Sequence, residues 1–447
     1  RQCRFRENQD FLNIYPQKTP SVNSPSECRH RSATQSVTDS KLQVSPTTMS
    51  LQTVVAAYLV IALNRKRKRK TPRYWRRELY VDGQEIQYNL YNKLVADDDA
   101  LFRNFTRMSK EDFQYLLEKI SPMIKKYDTN FREAISPRVR LLVTLRYLAT
   151  GDSYSSLMYL FRISEPSISR IIPVVCRALI DMPCSENEWR KIARDYEVAW
   201  NYTHCIVIQN PKNSGNMFFN YKGTFSIVLM AAADANYNFI YANVGCQGRI
   251  SDGGVFRETS FYKKLVKGTL QLPAPEPLPG SNELSPYVLL TDDAFPLQKN
   301  IIKPFSSHHD KGSCQRIYNY RHLRARRVVE NSFGLLASVF RIFRKPLMIN
   351  LENAEIVTKT CICLHNFLRR SKTSRSLHCP PGTLDNETQD GNIIPGSWRA
   401  VVRGDTGLQD LQHRARRATL EAKQVRNEFM KYIQLDEGRV PWQDHYA

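Results

Sequence analysis

Pro286-Tyr-Val-Leu-Leu-Thr-Asp-Asp-Ala-Phe295 is the stretch whose reading decides the fold. Tyr287 to Leu290 is a short, wholly apolar run, as expected of a strand buried on both faces of a sheet. It ends abruptly in Thr291, Asp292 and Asp293. Two carboxylates at the end of a buried strand are costly to desolvate. In open α/β sheets the carboxyl ends of the strands are also where ligands bind. Asp292 therefore reads either as a turn or cap residue or as a metal-coordinating carboxylate.

A partner follows in the sequence. Arg321 to Phe340 is periodic, with Val329, Phe333, Leu336 and Phe340 at near-helical spacing. Glu330 sits beside that stripe, so its carboxylate points partly toward the core. Arg324, Arg326 and Arg327 crowd the preceding turn. An ion pair of Glu330 with Arg326 or Arg327 is one reading. A surplus of arginines facing a phosphate backbone is the other.

At 447 residues the chain is long enough for two or three domains with real cores. Its formal charge of +22 points to a polyanionic partner, nucleic acid before membrane. Ten cysteines without a CxxC pair suggest reduced thiols in an intracellular protein. Cys361, Cys363 and His365 resemble metal ligands by type, but only Cys361 and His365 share a helical face, so they read as core residues.

Taken in order, residues 1–48 are polar and aperiodic, with disorder expected; Arg1 is not an initiator, and Met49 is a candidate start. Residues 49–79 hold a short apolar helix, too short to span a bilayer, and a basic run. That run, Arg65, Lys66, Arg67, Lys68, Arg69 and Lys70, suits nuclear import, DNA contact or both. Residues 80–196 read as helical. Ser109, Ser136 and Ser164 stand as caps, and Gly151 as a stop. A short helix over Ser153–Phe161, a tight turn and a helix toward Ile180 have helix-turn-helix spacing. Ser167, Ser169 and Arg170 are its candidates for phosphate or base edges. Strands are expected over Tyr202–Asn210, Phe225–Ala232 and Phe239–Val244, with a hairpin turn at Asp234. Ser251-Asp252-Gly-Gly254 opens a helix through about Leu265. Together with the opening stretch this makes a mixed α/β sheet. Leu351–Arg369 is a core helix, residues 371–404 read as a flexible linker, and a last amphipathic helix runs past Leu420.

Several segments, in order, then carry a resemblance. They are Phe219-Asn-Tyr-Lys-Gly223, Val244-Gly245 with Ser251-Asp-Gly-Gly-Val-Phe256, and Asp292-Asp-Ala-Phe-Pro-Leu297. Arg326-Arg-Val-Val-Glu-Asn-Ser-Phe-Gly334 and Leu364-His-Asn-Phe-Leu368 complete the set. From about Tyr80 to Arg370 the chain resembles the PIF/Harbinger transposases and the nucleases derived from them. The resemblance implies an α/β, RNase H-like mixed sheet with flanking helices over 197–370, preceded by an all-helical helix-turn-helix domain over 80–196. Residues 371–447 would follow as linker and helix. It implies a nuclear endonuclease acting on DNA with Mg²⁺ or Mn²⁺, held by two aspartates and a glutamate. A DNA-binding partner protein fits the same pattern, and no membrane does. Asp292 matches the second aspartate and Glu330 the glutamate.

The first aspartate has no match. In the family it ends the first strand, in a Gly-x-x-Asp-Gly-Lys-His-like segment. Here Cys205 runs straight into Ile206-Val-Ile-Gln-Asn-Pro211, which matches the sequence after that segment. The expectation is a short loss between Cys205 and Ile206, by deletion or a misplaced exon boundary. Asp234 and Asp252 are the possible stand-ins. Without a carboxylate bridging two ions, in-line attack loses its nucleophile site. The chain is therefore expected either as an impaired nuclease or as an inactive nuclear DNA-binding or chromatin-associated derivative.

Overall fold

The computed structural model describes residues 77–130, 132–182, 199–211, 214–270, 272–402, 408–410 and 418–446, with a few positions between 52 and 58. The readings of residues 1–48 and of the basic run 65–70 lie outside the described residues. Of two compact units, the first holds Leu79–Ala447. The elements below all belong to the first.

Six helices come first: α1 Gly83–Ala96, α2 Asp99–Thr106, α3 Lys110–Ile124, α4 Pro137–Thr150, α5 Tyr154–Phe161 and α6 Glu165–Ile180. Ser109, Ser136 and Ser153 cap α3, α4 and α5, each side chain accepting from a backbone N–H three residues on. Gly151 closes α4 in the left-handed region, φ 67°, where a side chain would be strained. Ser164 stands at the N-cap of α6, but its hydroxyl pairs with that of Ser167 at 2.9 Å instead. Helix α6 continues through Pro173 and buries Ile168, Ile171, Ile172, Val175 and Leu179. It packs against α3, α4 and α5, and only Pro166, Arg170 and Arg177 are exposed on it.

The sheet follows. β1 Ala199–Val207, β2 Ser226–Ala233 and β3 Phe239–Gln247 form an antiparallel meander. β1 starts three residues earlier than the sequence suggests. Helices α7 Asp252–Glu258 and α8 Ser260–Val266 replace the single expected helix. The break falls at extended Thr259, whose hydroxyl accepts from Tyr262 N and caps α8. β4 Leu289–Thr291 and β5 Ile301–Ile302 then run parallel to β1, giving the order β3-β2-β1-β4-β5. β2 is buried on both faces. Ile227, Leu229 and Ala231 join one core with the helices, and Val228, Met230 and Ala232 join another with α7 and α8.

Two long helices, α9 Cys314–Val339 and α10 Leu351–Arg370, pack on the sheet. The first core runs without a gap from Phe102 in α2 through the sheet to Leu368 in α10. Side chains tie the helical part to α10 and the chain after it. Thr360 donates to Cys176 O, Tyr115 stacks on Phe367, and Asp112 Oδ2 accepts from Ser371 and Thr373. Residues 371–402 are not the expected linker. They form α11 Arg375–His378, a ladder of Asn386–Glu387 with Ile393–Ile394, and α12 Ser397–Val401, which packs on α9. β6 Leu408–Asp410 then pairs antiparallel with β1, and α13 Leu420–Tyr432 follows. Among the described residues no helix is long and apolar enough to cross a membrane.

Candidate active site

The carboxyl end of β4 sets the site. Asn201 of β1 lies opposite Thr291 of β4, so Asp292 comes one step beyond, at the level of Tyr202. Neighbouring strands are about 4.8 Å apart. Asp292 is buried, and its Oδ1 accepts from Ala294 N at 3.0 Å, which gives the turn its shape. Asp293 is answered separately: Lys303 Nζ, nearly buried, lies 2.9 Å from Asp293 Oδ1.

Glu330 is carried by α9 between two core residues. Val329 is fully buried, and the ring of Phe333 meets His204 of β1 edge-on with centroids 4.2 Å apart. Helix α9 therefore lies across β1. The carboxylate of Glu330 faces two arginines: Oε1 is 3.0 Å from Arg326 Nε, and Oε2 is 3.6 Å from Arg399 Nη2. Arg399 comes from α12 and is itself held by Asp385, at 2.8 Å from Nε to Oδ1. So the i,i+4 ion pair is present, with a second arginine added from a segment read as linker.

The same segment corrects the reading of the other arginines. Glu387, in the ladder before α12, accepts from Arg324 Nε at 2.9 Å and lies 3.4 Å from Arg327 Nη2. The positive surplus on α9, expected to face phosphate through Arg326 and Arg327, is met by carboxylates inside the fold.

Asp234 is a turn residue. Its Oδ1 accepts from the backbone N–H of Asn236 and Asn238, and its Oδ2 from Asn238 Nδ2. Ala233, just before it, is opposite Trp200, on the far side of β1 from β4. Asp252 opens α7, which packs against β2. Asp234 is not brought to the end of β4. Cys361 and His365 are fully buried core residues on α10.

β1 has no acidic residue, and the expected loss between Cys205 and Ile206 leaves no trace in it. Cys205 pairs with Val228 and Ile206 with Ile227 in unbroken register, while Gln409 and Leu408 pair from the other side. Asn201-Tyr-Thr-His204 repeats the Asp-x-x-His spacing of the family segment with an amide for the acid. His204, three residues on, is the signal of this spacing in the sequence. A second residue was missed as well. Asp410 of β6 is in register with His204, the one acidic residue that the described pairings bring against β1. Its distance in sequence gave no sign of this.

Among the described residues no three His, Cys, Asp or Glu side chains converge to hold a metal ion. A glutamate held by two arginines, beside a strand with no acidic residue, does not fit a two-ion centre, and no hydrolytic step follows from the residues as they stand.

The sheet is mixed, of order 3-2-1-4-5, with Asp292 beyond the end of its fourth strand and Glu330 on a helix that crosses it. Residues 202–366 match the DDE superfamily endonuclease profile. The chain is 22% identical to Protein ALP1-like of Arabidopsis thaliana over 292 residues, 61% of this chain and 71% of that one. It is 22% identical to Antagonist of like heterochromatin protein 1 of Arabidopsis thaliana, over 61% of this chain and 74% of the relative. With HARBI1 of Homo sapiens, which carries a nuclease's name, identity is 22% over 61% and 79%. No solved structure matches. Over residues 202–366 the chain is therefore similar to the DDE superfamily endonucleases.

Several of the family segments earn their residues locally. Asn220 builds the 219–224 turn: its Oδ1 accepts from Lys222 N and Thr224 N, and its Nδ2 donates to Ser226. Asn331 Oδ1 accepts from Trp398 Nε1 at 2.7 Å, and a Cβ on Gly334 would lie 2.3 Å from the Trp398 ring. Asn366 pins the start of β3, accepting from Phe239 N and donating to Phe239 O.

Proposed function

We infer that this protein is a transposase-derived DNA endonuclease whose RNase H-like sheet has lost its chemistry at position 201. Asp292 and Glu330 would be two of three ligands of a divalent-ion site, for Mg²⁺ or Mn²⁺, and Asn201 would stand in the place of the third. The observation that carries this is that Ala199–Val207, the strand beside β4, holds no acidic residue. An amide is neutral and cannot bridge two cations as a carboxylate does. In this reading the chain cuts DNA weakly or not at all.

Asn201→Asp is the test. It should confer Mg²⁺- or Mn²⁺-dependent cleavage of duplex DNA, and that gain should vanish in Asp292→Asn and Glu330→Gln. A short aspartate-bearing insertion between Cys205 and Ile206 should instead break the β1 pairing and lower the melting temperature. If the insertion restores cleavage and Asn201→Asp does not, the loss lies where the sequence first suggested. If the unaltered chain cleaves, Asp410→Asn is the first variant to examine.

A second reading is supported by the Arg326 and Arg399 contacts of Glu330: an inactive derivative that keeps the fold and serves as a nuclear DNA-binding or chromatin-associated protein. The name of one relative, an antagonist of a heterochromatin-like protein, fits that role. Both readings place the protein in the nucleus, directed by Arg65–Lys70, whose six adjacent charges suit an import receptor. Replacing residues 65–70 with Ser and Gly should disperse a fluorescent fusion into the cytoplasm; unchanged nuclear accumulation would assign import elsewhere.

A further inference from the structure

Away from the strand ends, the helical part holds a groove of about 610 Å³ beside α4 and α6. Lys126, Arg140, Arg170 and Arg177 line it together with Ser167 and Ser169, and no carboxylate is among its lining residues. Arg140 is the costly member. It is only 9% exposed, and its Nε donates to Ile135 O at 2.9 Å. Burial depresses its pKa. A guanidinium drawn out of water without a carboxylate beside it is unfavourable unless an anion compensates. Arg177 meets Glu352 at 2.7 Å, but both side chains are exposed, and such a pair stabilises little and exchanges readily for another anion.

We propose that this groove seats the phosphodiester backbone of duplex DNA, so that α6 lies along the strand and does not enter the major groove. The inference deepens the DNA reading above and rests on it. Helix α6 is enclosed by α3, α4, α5 and α10, and its exposed residues, Pro166, Arg170 and Arg177, form a single line. A base-reading helix must present several side chains across one face to a groove about 12 Å wide. One line of side chains flanked by hydroxyls and arginines suits phosphate oxygens instead. Contacts of that kind fix position on the duplex and carry no sequence information.

The test uses the full chain, fluorescein-labelled duplexes of unrelated sequence and a salt series. Lys126 and Arg170 are both exposed, so Lys126→Gln with Arg170→Gln should leave the circular dichroism spectrum and melting temperature unchanged. Two lost phosphate contacts should reduce the slope of log K against log salt by about 1.8, equally for every duplex. A slope that does not change overturns the groove while leaving the DNA reading intact. A loss confined to one sequence means that bases are read, and also overturns it. No duplex binding by the unaltered chain at any salt overturns both.

Discussion

Asn201 lies in β1, a strand without an acidic residue, and only the structure puts it there. Pattern reading assigns a strand by its apolar run, and Ala199–Trp200 added little to that pattern. An apolar run that begins at Tyr202 leaves Asn201 outside it. Asp292 was legible because its environment is anomalous: acids seldom end a wholly apolar strand. Glu330 was legible as a position, but its partners were not, since Arg399 lies 69 residues further on. A second residue-scale feature sits between Tyr237 and His378. The Tyr237 carbonyl can only accept, so His365 Nε2 donates to it at 2.8 Å, and His365 Nδ1 accepts from His378 Nε2 at 3.1 Å. Burial lowers the pKa of His365 to about 4 and that of His378 well below its usual value. Burial likewise lowers His322 to about 4. The neutral forms belong to the folded state and protonation favours the unfolded one. Their contribution is complete above about pH 6.5, the unfolded value. It is lost as pH falls from there toward 4, at about 1.4 kcal/mol per histidine per pH unit. Melting temperature should fall steeply across that window, and His378→Gln should flatten the slope by roughly one proton. An unchanged slope would remove His378 from the account.

At the scale of elements, caps and periodicity located α3, α4 and α5 almost to the residue, because Ser, Pro and Gly act within one turn of themselves. The long helices and the three antiparallel strands were legible for the same reason: their signals are local. The misreadings are of another kind. Residues 371–402 are short of long apolar runs, so they read as linker, yet each short element is fixed by a distant partner. Trp398 rests on Gly334, Asp385 takes Arg399, and Glu387 answers Arg324. Much of the order in this segment comes from α9, which ends 32 residues before it. Propensity scales register no such debt. The helix-turn-helix spacing was read correctly as a spacing, but how much of α6 the neighbouring helices enclose is a tertiary fact.

For the whole molecule, the expected boundary near residue 196 cuts through a continuous core. Phe102, Phe161 and Ile172 share one cluster with Ile227, Val329 and Leu364. Helix α10 serves both parts, holding Cys176 through Thr360 and β3 through Asn366. Two parts that share a core melt together. Calorimetry on the full chain should show one transition for the unit 79–447, and residues 80–196 expressed alone should not fold. Two resolved transitions, or a folded 80–196 fragment, would restore the boundary. The strand β6 has a last consequence, which concerns synthesis. The edge of β1 at His204–Ile206 is completed only by Leu408–Asp410, about 200 residues later in the chain. At roughly 5–20 residues per second, a ribosome takes about 10–40 s to supply it. For that interval the nascent sheet carries an open edge, ready to pair with any other nascent strand.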